Sequence, residues 1–211
     1  MAGPLEYVRV KRALDVAVCS AALVVLSPLL LATAIAIKLD SPGPVLFRQQ
    51  RLGLNAQEFT IYKLRTMSVG AEAGGVYEAK RDARVTTLGR VLRRTSIDEL
   101  PQLVNIIKGE MSIIGPRPTL TYHPWPLEDY TSEQRRRFDV RPGVTGWAQV
   151  NGRKTVDWHQ RIKFDVEYVD HLSAAFDLRI FVRTVRKVLA MSDNVNTTRT
   201  AAPLPQTDSN A

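Results

Sequence analysis

Two adjacent carboxylates, Asp98 and Glu99, lie in a strongly basic part of the sequence. Arg90, Arg93 and Arg94 come just before them, and further arginines beside proline or glycine follow. Carboxylates can act as nucleophiles or proton acceptors, and their oxygens are ligands for hard metal ions. Two carboxylates among many cations therefore predict a polyanionic ligand with a metal ion between the ligand and the carboxylates.

The same residues also allow a purely structural interpretation. Ser96 is a favourable helix N-cap, and Glu99 follows it at the spacing of a capping box. Apolar residues then recur at helical spacing as far as Gly109, which predicts one helix between Ser96 and that glycine. Acidic residues in a first helical turn are stabilised by about 0.3–1 kcal/mol without any catalytic role.

Two later segments present arginine on a stiff backbone. Arg117 stands between Pro116 and Pro118, and each proline restricts the backbone around it, so little entropy is left to lose on binding an anion. Arg141 precedes Pro142, and the glycines after it are interpreted as letting backbone N–H groups approach a ligand. A turn with a surface arginine is the alternative at each place. The sequence contains no GxxxxGK[ST] phosphate loop.

A predicted hairpin supplies two more cations. Residues 45–47 and 59–62 are rich in apolar and aromatic side chains and flank a polar turn at 53–56, which predicts two antiparallel strands. The second strand leads into Lys63 and Arg65, and strand alternation places these side chains on one face. That face is either a cation site or a solvated sheet edge.

Composition limits the classes of protein. The chain has 211 residues, of which 45% are hydrophobic and 24% charged, enough for one core. A formal net charge of +8 fits nucleic acid, anionic lipid or phosphorylated small molecules as partners. Cys19 is the only cysteine, which excludes an intrachain disulfide framework and a cysteine-rich zinc site. A reducing, cytoplasmic setting is therefore expected.

The longest apolar segment covers residues 13–37 and carries one charge, Asp15. At 1.5 Å per residue, about 25 helical residues reach roughly 37 Å, which exceeds a hydrocarbon core of about 30 Å. Three interpretations compete: a transmembrane helix, a signal peptide, and a re-entrant helix that bends and leaves the membrane on the side it entered.

Ser27 and Pro28, near the middle of this segment, bear on the choice. Pro28 has no N–H and crowds the carbonyl of Val24, so a bend is expected, and the Ser27 hydroxyl can bond a carbonyl freed by it. Basic residues flank both ends of the segment, which fits two cytoplasmic ends. The spanning and re-entrant forms stay about equally supported, ahead of the signal peptide, because proline is common in spanning helices.

The rest of the chain predicts short elements and a tail. The predicted elements are a basic helix at 86–94, a strand at 111–114, a basic helix at 132–139, and amphipathic helices at 155–172 and 176–191. A basic amphipathic helix either packs on a core with a solvated face or lies on an anionic membrane surface. The polar segment from residue 192 predicts disorder.

The order of these signals resembles the bacterial sugar transferases, or monotopic phosphoglycosyl transferases. The matching pieces are the apolar segment with Ser27 and Pro28, YKLRTM, RRTSIDELPQLVNIIKGEMSIIGPRP, RPGVTGWAQVNGR, and the helix near DLRI. The resemblance runs from about residue 11 to about residue 191. The chain is similar to the small type of member that consists of the catalytic core, or to an excised core.

For the fold, the resemblance implies an α+β protein that is monotopic in the membrane. A re-entrant membrane helix would occupy 11–39, a cytoplasmic catalytic domain 40–191, and a disordered tail 192–211. The catalytic domain would contain short amphipathic helices and a small β-sheet or hairpin. It would lie on the cytoplasmic face of the bacterial inner (cytoplasmic) membrane, in contact with lipid.

For the reaction, the resemblance implies transfer of a sugar 1-phosphate from a UDP-sugar to polyprenyl (undecaprenyl) phosphate, with Mg²⁺ required and UMP released. This would be the first membrane step in the synthesis of a surface glycoconjugate. Asp98 would be the nucleophile, forming a covalent phosphosugar intermediate, and a metal ligand, while Glu99 would assist deprotonation of the acceptor. The remaining implied site residues are Lys63, Arg65, Arg93, Arg117 and Arg141 for phosphate, and Ser27 and Pro28 for the break in the membrane helix.

Two other classes stay open at this point. A membrane-anchored nucleic-acid-binding protein would predict a helix-turn-helix or stacked aromatic residues; neither is found, so no nucleic-acid partner is expected. A non-catalytic scaffold that binds polyprenyl phosphate would keep the cations, but it would not need Asp98 as well as Glu99. The sequence leaves open which sugar is transferred, and whether the protein is a monomer or a homodimer.

Overall fold

The computed structural model describes residues 4–71, 75, 82–152 and 156–189. The helices are α1 (Pro4–Asp40), α2 (Thr87–Thr95), α3 (Gln102–Lys108), α4 (Ser132–Arg135), α5 (Trp147–Gly152), α6 (Trp158–Asp170) and α7 (Ala174–Leu189). The strands are β1 (Leu46–Leu52), β2 (Glu58–Leu64), β3 (Ser112–Ile114) and β4 (Gly143–Thr145). This mixture of helices with two small sheets fits the predicted α+β class. The predicted tail, 192–211, lies outside the described residues.

The predicted hairpin is confirmed, with longer strands than the sequence indicated. Strands β1 and β2 pair antiparallel, from Leu46 opposite Leu64 to Leu52 opposite Glu58. The hairpin buries Phe59 and other apolar side chains against α1 and α3. Its second strand contains Lys63 and leads directly into the segment that lines the candidate site.

Helix α1 is continuous and contains Pro28. The Ser27 hydroxyl donates to the carbonyl of Val24 at 2.8 Å, the carbonyl that proline leaves without its helical donor. The hydrogen bond predicted for Ser27 is therefore confirmed, and the bend at Pro28 stays a prediction. By length and apolar composition α1 could cross a membrane, and near its middle Val24 and Val25 are 74% and 75% exposed.

Polar contacts fix the N-terminal part of α1 to the folded domain. Tyr7 and Lys11 both donate to the Asp177 carboxylate of α7, each at 2.6 Å. Asp15 is 5% exposed and accepts a hydrogen bond from the hydroxyl of Ser112 in β3. Buried charges are costly without such partners, so these contacts join α1 to α7 and β3 at defined positions.

The C-terminal end of α1 is held by one arginine. The guanidinium of Arg65, directly after β2, donates to the carbonyls of Ile37 at 3.3 Å, Ser41 at 2.6 Å and Pro42 at 2.7 Å. Carbonyls at a helix C-terminus lack intrahelical partners and favour a cation. Both ends of α1 are therefore attached to the same domain.

The predicted helix from Ser96 to Gly109 is wrong in its first half. Ser96 has φ 59°, caps the C-terminus of α2, and makes no side-chain cap hydrogen bond to the turn that follows. A 3₁₀ turn covers Ile97–Glu99, and α3 begins after Pro101. Proline has no N–H, so it suits the start of a helix better than its interior. Gly109, with φ 93°, does end α3 as predicted.

The interpretation of Gly143 as an open backbone donor is also wrong. Residues 143–145 form β4, which lies parallel to β3, and the Gly143 N–H donates to the carbonyl of Pro116 at 2.8 Å. A Cβ on Gly143 would lie 2.1 Å from the Gly115 nitrogen. Glycine is needed here because two backbones touch, and the contact holds the segment that carries Arg117.

The two predicted amphipathic helices near the C-terminus are confirmed as α6 and α7. Helix α6 is shorter than predicted, whereas α7 begins two residues earlier, at Ala174, and the last two residues of its predicted range lie outside the described residues. Helix α6 buries Ile162 and Val166 in a core cluster with Trp125. Helix α7 buries Ile180, while Leu178 on its other side is 62% exposed. These helices complete the wall against which the segments of the candidate site are packed.

Candidate active site

A cavity of about 490 Å³ brings the two predicted carboxylates together with most of the predicted cations. Its walls come from the hairpin, the segment after β2, the turn at 97–99, the segment after β3 and the start of α6. The predicted residues that line it are Lys63, Arg65, Arg93, Asp98, Glu99 and Arg117.

Asp98 is buried in the wall of this cavity, with 8% of its surface exposed. Within the part of the chain that the structure describes, no group hydrogen-bonds to its carboxylate. Burial raises its pKa to about 6, against the opposing effect of Lys63. A buried carboxylate without a hydrogen-bond donor is costly, so this arrangement fits a group whose partner is a ligand.

Glu99 is held between two cations. Its Oε1 accepts a hydrogen bond from Lys63 Nζ at 2.8 Å and lies 3.4 Å from Arg117 Nη2. Burial lowers the pKa of Lys63, and the negative charge of Glu99 opposes that change. The two neighbouring carboxylates therefore differ in environment: Glu99 is engaged with cations, whereas Asp98 faces the cavity.

Arg93 and Arg65 line the cavity from different supports. Arg93, in the last turn of α2, donates through Nε to the hydroxyl of Thr66 at 2.7 Å. Arg65 is 7% exposed, and its terminal nitrogens donate to the end of α1. Phosphate binding by Arg65 stays a prediction, and the geometry gives this residue a structural role as well.

Arg141 is not brought together with the other predicted site residues. It does not line the cavity, and its Nε donates to the carbonyl of Gly109 at 2.9 Å. Arg12 of α1 donates to the neighbouring carbonyls of Ile106 and Ile107. The stiff Arg–Pro backbone thus presents Arg141 to the end of α3, where a cation is favoured, and its phosphate role stays a prediction.

Sequence reasoning missed several residues of the cavity wall. The missed cations and rings are Arg48, Arg51, Arg84, Tyr122, His123, Trp158 and Arg161. Of these residues, only Arg51 could have been predicted to face the site from the strand pattern. In the hairpin Phe47 lies opposite Lys63, so these two side chains are on the same face of the sheet. Arg51 follows Phe47 by an even number of residues on β1, so strand alternation places Arg51 on that face as well. Burial lowers the pKa of Arg51 to about 10, with a further contribution from Arg117.

A buried ion pair supports Arg117 from behind. Arg137 and Asp165 are 3% and 2% exposed, and Arg137 Nη2 lies 2.7 Å from Asp165 Oδ2. The same guanidinium donates to the carbonyl of Arg117 at 2.9 Å and to the hydroxyl of Thr119 at 3.3 Å. The pair thus fixes the backbone on which Arg117 is presented to the cavity.

We expect Arg137→Met to lower the free energy of unfolding by about 3–5 kcal/mol, because the Asp165 carboxylate would stay buried without its cation. The double variant Arg137→Met/Asp165→Leu should recover a substantial part of that loss, since both buried charges are removed. Chemical denaturation of the purified variants measures both quantities. A double variant as unstable as the sum of the two single variants would contradict this account of the pair.

The donor set of the cavity fits Mg²⁺ bound jointly with a phosphorylated ligand. Within the described residues, no group of three or more His, Cys, Asp or Glu side chains could enclose a metal ion. Mg²⁺ commonly uses one or two carboxylates, several waters and the phosphates of a substrate. Asp98, without a hydrogen-bond donor and at the cavity wall, is a suitable carboxylate for that arrangement.

Comparison with known proteins gives one family match over most of the chain. The profile of the family described as "Bacterial sugar transferase" matches residues 6–191. That range contains α1 except for its first two residues, and every segment of the cavity wall.

The curated proteins that are similar to the chain include the following three. UDP-glucose:undecaprenyl-phosphate glucose-1-phosphate transferase of Caulobacter vibrioides is 47% identical over 205 residues, which are 91% of this chain and 75% of that protein. Uncharacterized sugar transferase EpsL of Bacillus subtilis is 44% identical over 179 residues, 85% of this chain and 87% of that protein. UDP-glucose:undecaprenyl-phosphate glucose-1-phosphate transferase of Escherichia coli is 43% identical over 183 residues, 84% of this chain and 39% of that protein.

Proposed function

The chain belongs to the bacterial sugar transferase family, and from this we propose that it is a Mg²⁺-dependent phosphoglycosyl transferase. It moves a sugar 1-phosphate from a UDP-sugar to undecaprenyl phosphate and releases UMP, in the first membrane step of surface glycoconjugate synthesis. The observation that carries the proposal is Asp98: a buried carboxylate with a raised pKa and no hydrogen-bond donor, in the wall of a cation-lined cavity.

In the first step, an Asp98 carboxylate oxygen attacks the phosphorus next to the sugar. The bond from that phosphorus to the UMP oxygen breaks, and UMP leaves with the electron pair, so the sugar phosphate is bound to Asp98. Lys63, Arg93 and Arg117 surround the carboxylate and neutralise charge on the phosphate oxygens. When bound, Mg²⁺ adds further charge neutralisation at those oxygens.

In the second step, an oxygen of undecaprenyl phosphate attacks the same phosphorus and the bond to Asp98 breaks. Glu99 takes the proton of the acceptor phosphate. Its side chain is held at 2.8 Å from Lys63 and 3.4 Å from Arg117, next to Asp98 in the chain. A base fixed beside the nucleophile can serve the acceptor after the donor product has left.

We propose that α1 enters and leaves the membrane on the cytoplasmic side, which makes the protein monotopic in the bacterial inner membrane. Asp177 and Arg65 hold the two ends of α1 on the same domain. Cys19 packs in a core cluster with Ile61, and Ile37 packs in a cluster with Leu64. Ile61 and Leu64 are separated by three strand residues, or about 10 Å, whereas Cys19 and Ile37 would be about 27 Å apart along a straight helix. This difference favours a bend near Pro28.

Cysteine labelling tests this topology. In a Cys19→Ala background, Glu6→Cys and Lys38→Cys should both react with a membrane-impermeant maleimide added from the cytoplasmic side only, because both positions flank the inserted segment. Asp139→Cys, on the exposed surface of the domain, is the control for that side. Labelling of Glu6→Cys and Lys38→Cys from opposite sides would establish a spanning helix instead.

The proposed activity is tested with the purified chain in detergent, undecaprenyl phosphate, Mg²⁺ and a panel of UDP-sugars that begins with UDP-glucose. UMP release that depends on one sugar would support the proposed reaction and identify the donor. A folded protein that binds undecaprenyl phosphate but releases no UMP from any donor would favour the non-catalytic scaffold.

A further inference from the structure

We propose that the nucleoside of the donor binds at one end of the cavity, in a corner formed by Tyr122, His123, Trp158 and Arg161. We call this set the aromatic corner. The proposal rests on the proposed function, since it assigns the UMP part of a UDP-sugar to a subsite of the same cavity. All four residues line that cavity, and none of them was identified from the sequence.

Contacts among the side chains hold the aromatic corner in place. The rings of His123 and Trp158 meet edge to face, with centroids 5.3 Å apart and an interplanar angle of 87°. The guanidinium of Arg161 lies 4.9 Å from the centroid of the Trp158 ring, and Arg161 Nε donates to the carbonyl of Val156 at 3.1 Å. Two rings and a planar cation are therefore fixed before any ligand binds, which reduces the entropy lost on binding.

The corner offers surfaces on which a base can stack. Tyr122 is 61% exposed although it lines the cavity. Burial lowers the pKa of His123, and the nearby charges of Arg51 and Arg161 act in the same direction, so its imidazole is neutral near pH 7. Nucleobases stack on aromatic rings and on arginine planes, and ring nitrogens can bond their edges.

A row of cations connects the corner to the reaction centre. Arg117 contacts Glu99 at 3.4 Å, and its charge contributes to the lowered pKa of both Arg51 and Arg161. Arg117 is therefore close to the carboxylates and near enough to Arg161 for the two charges to interact. A diphosphate that starts at Asp98 and follows these cations would bring its nucleoside to the rings.

The part of the cavity wall beside α1 suits the lipid acceptor. There the wall is formed by Pro44, Arg65 and Met67, beside the C-terminal end of α1, and by Val69, which is 67% exposed. The isoprenoid chain of the acceptor stays in the bilayer, so it must approach from the side of α1. The sugar leaves with the transferred phosphate towards this acceptor, whereas the nucleoside leaves with UMP, which assigns the aromatic corner to the nucleoside.

Binding of UMP alone to the full chain in detergent tests the proposal, because UMP contains the nucleoside but not the transferred sugar. Tyr122→Ala and Arg161→Gln should each weaken UMP binding, Tyr122→Ala by between about 5-fold and 100-fold, the range expected for loss of one stacking ring. Tyr122→Phe keeps the ring and should keep most of the affinity. Phe181→Ala, which removes a half-exposed ring on α7 outside the cavity, is the control.

Three results would overturn the assignment. Unchanged UMP affinity in Tyr122→Ala together with a raised KM for the UDP-sugar would place the sugar in the corner. Unchanged UMP affinity and unchanged KM would leave the corner without a role in donor binding, and a wild-type chain that binds no UMP would exclude a nucleoside subsite. Failure of the proposed activity is measured separately, as absence of UMP release from the donor panel, and Tyr122-dependent UMP binding would still support the corner in that case.

Discussion

Asp98→Asn should reduce UMP release from the UDP-sugar donor by at least about 10³-fold, because an amide cannot act as the carboxylate nucleophile of the first step. Asparagine has nearly the same shape as aspartate, so the cavity should keep its form. The substitution also removes the desolvation cost of a buried charge that has no hydrogen-bond donor, so unfolding should be no easier than in the wild type. Initial rates of UMP release, with UMP as the quantified product, measure the effect.

The matched control is Asp139→Asn, which makes the same chemical change at an exposed position outside the cavity. Its rate of UMP release should stay within about twofold of the wild type, as expected for a surface change far from the site. If Asp98→Asn retained a tenth or more of the wild-type rate while folded, Asp98 would not be the nucleophile, and another group would have to attack the phosphate.

Glu99→Gln should separate the two steps of the reaction. With excess acceptor, we expect a burst of UMP that approaches one equivalent per protein, followed by turnover slower by about 10²-fold or more, because glutamine cannot take the acceptor proton. Rapid-mixing measurements of UMP against time give both phases.

Glu128→Gln is the control for this substitution, since Glu128 is exposed and does not line the cavity. It should give a burst and a steady state like those of the wild type. Loss of the burst in Glu99→Gln would mean that Glu99 is needed in the first step, and unchanged turnover would remove it from the reaction altogether.

The sequence was most informative where chemistry and local pattern coincide. Asp98 and Glu99 stood out as paired carboxylates among arginines, and they do line a cavity with Lys63 and Arg117. The capping pattern at Ser96 was misleading, because a serine and a glutamate three residues apart say nothing about a proline two residues later. Pro101 moves the helix start, and the acidic pair lies in a turn between two helices.

The residues that sequence reasoning missed or misplaced depend on tertiary packing. Proline beside Arg141 stiffens its backbone, but the side chain reaches the end of α3, a destination set by the packing of β4 on β3. Arg161 looks like one more cation on an amphipathic helix until the fold brings α6 beside the segment with Arg117. Its contact with Trp158 is local, but only the fold shows that both residues line the cavity.

Composition could not choose between a spanning and a re-entrant form of α1, because both need the same apolar length. The proposal of a re-entrant form depends instead on long-range contacts: Asp177 with Lys11 near one end, and Arg65 with the carbonyls near the other. In the sequence Asp177 and Arg65 are ordinary charged residues, and both lie outside the apolar segment whose ends they hold.

The central claim is that the sugar phosphate becomes covalently bound to Asp98, and intact-mass spectrometry tests it most directly. The purified chain is incubated with its UDP-sugar and Mg²⁺ without acceptor, quenched, weighed and digested. We predict a mass increase of one sugar phosphate, located on the peptide that contains Asp98 and absent from Asp98→Asn. UMP release by the wild type with no mass increase, or an adduct on another residue, would contradict the claim.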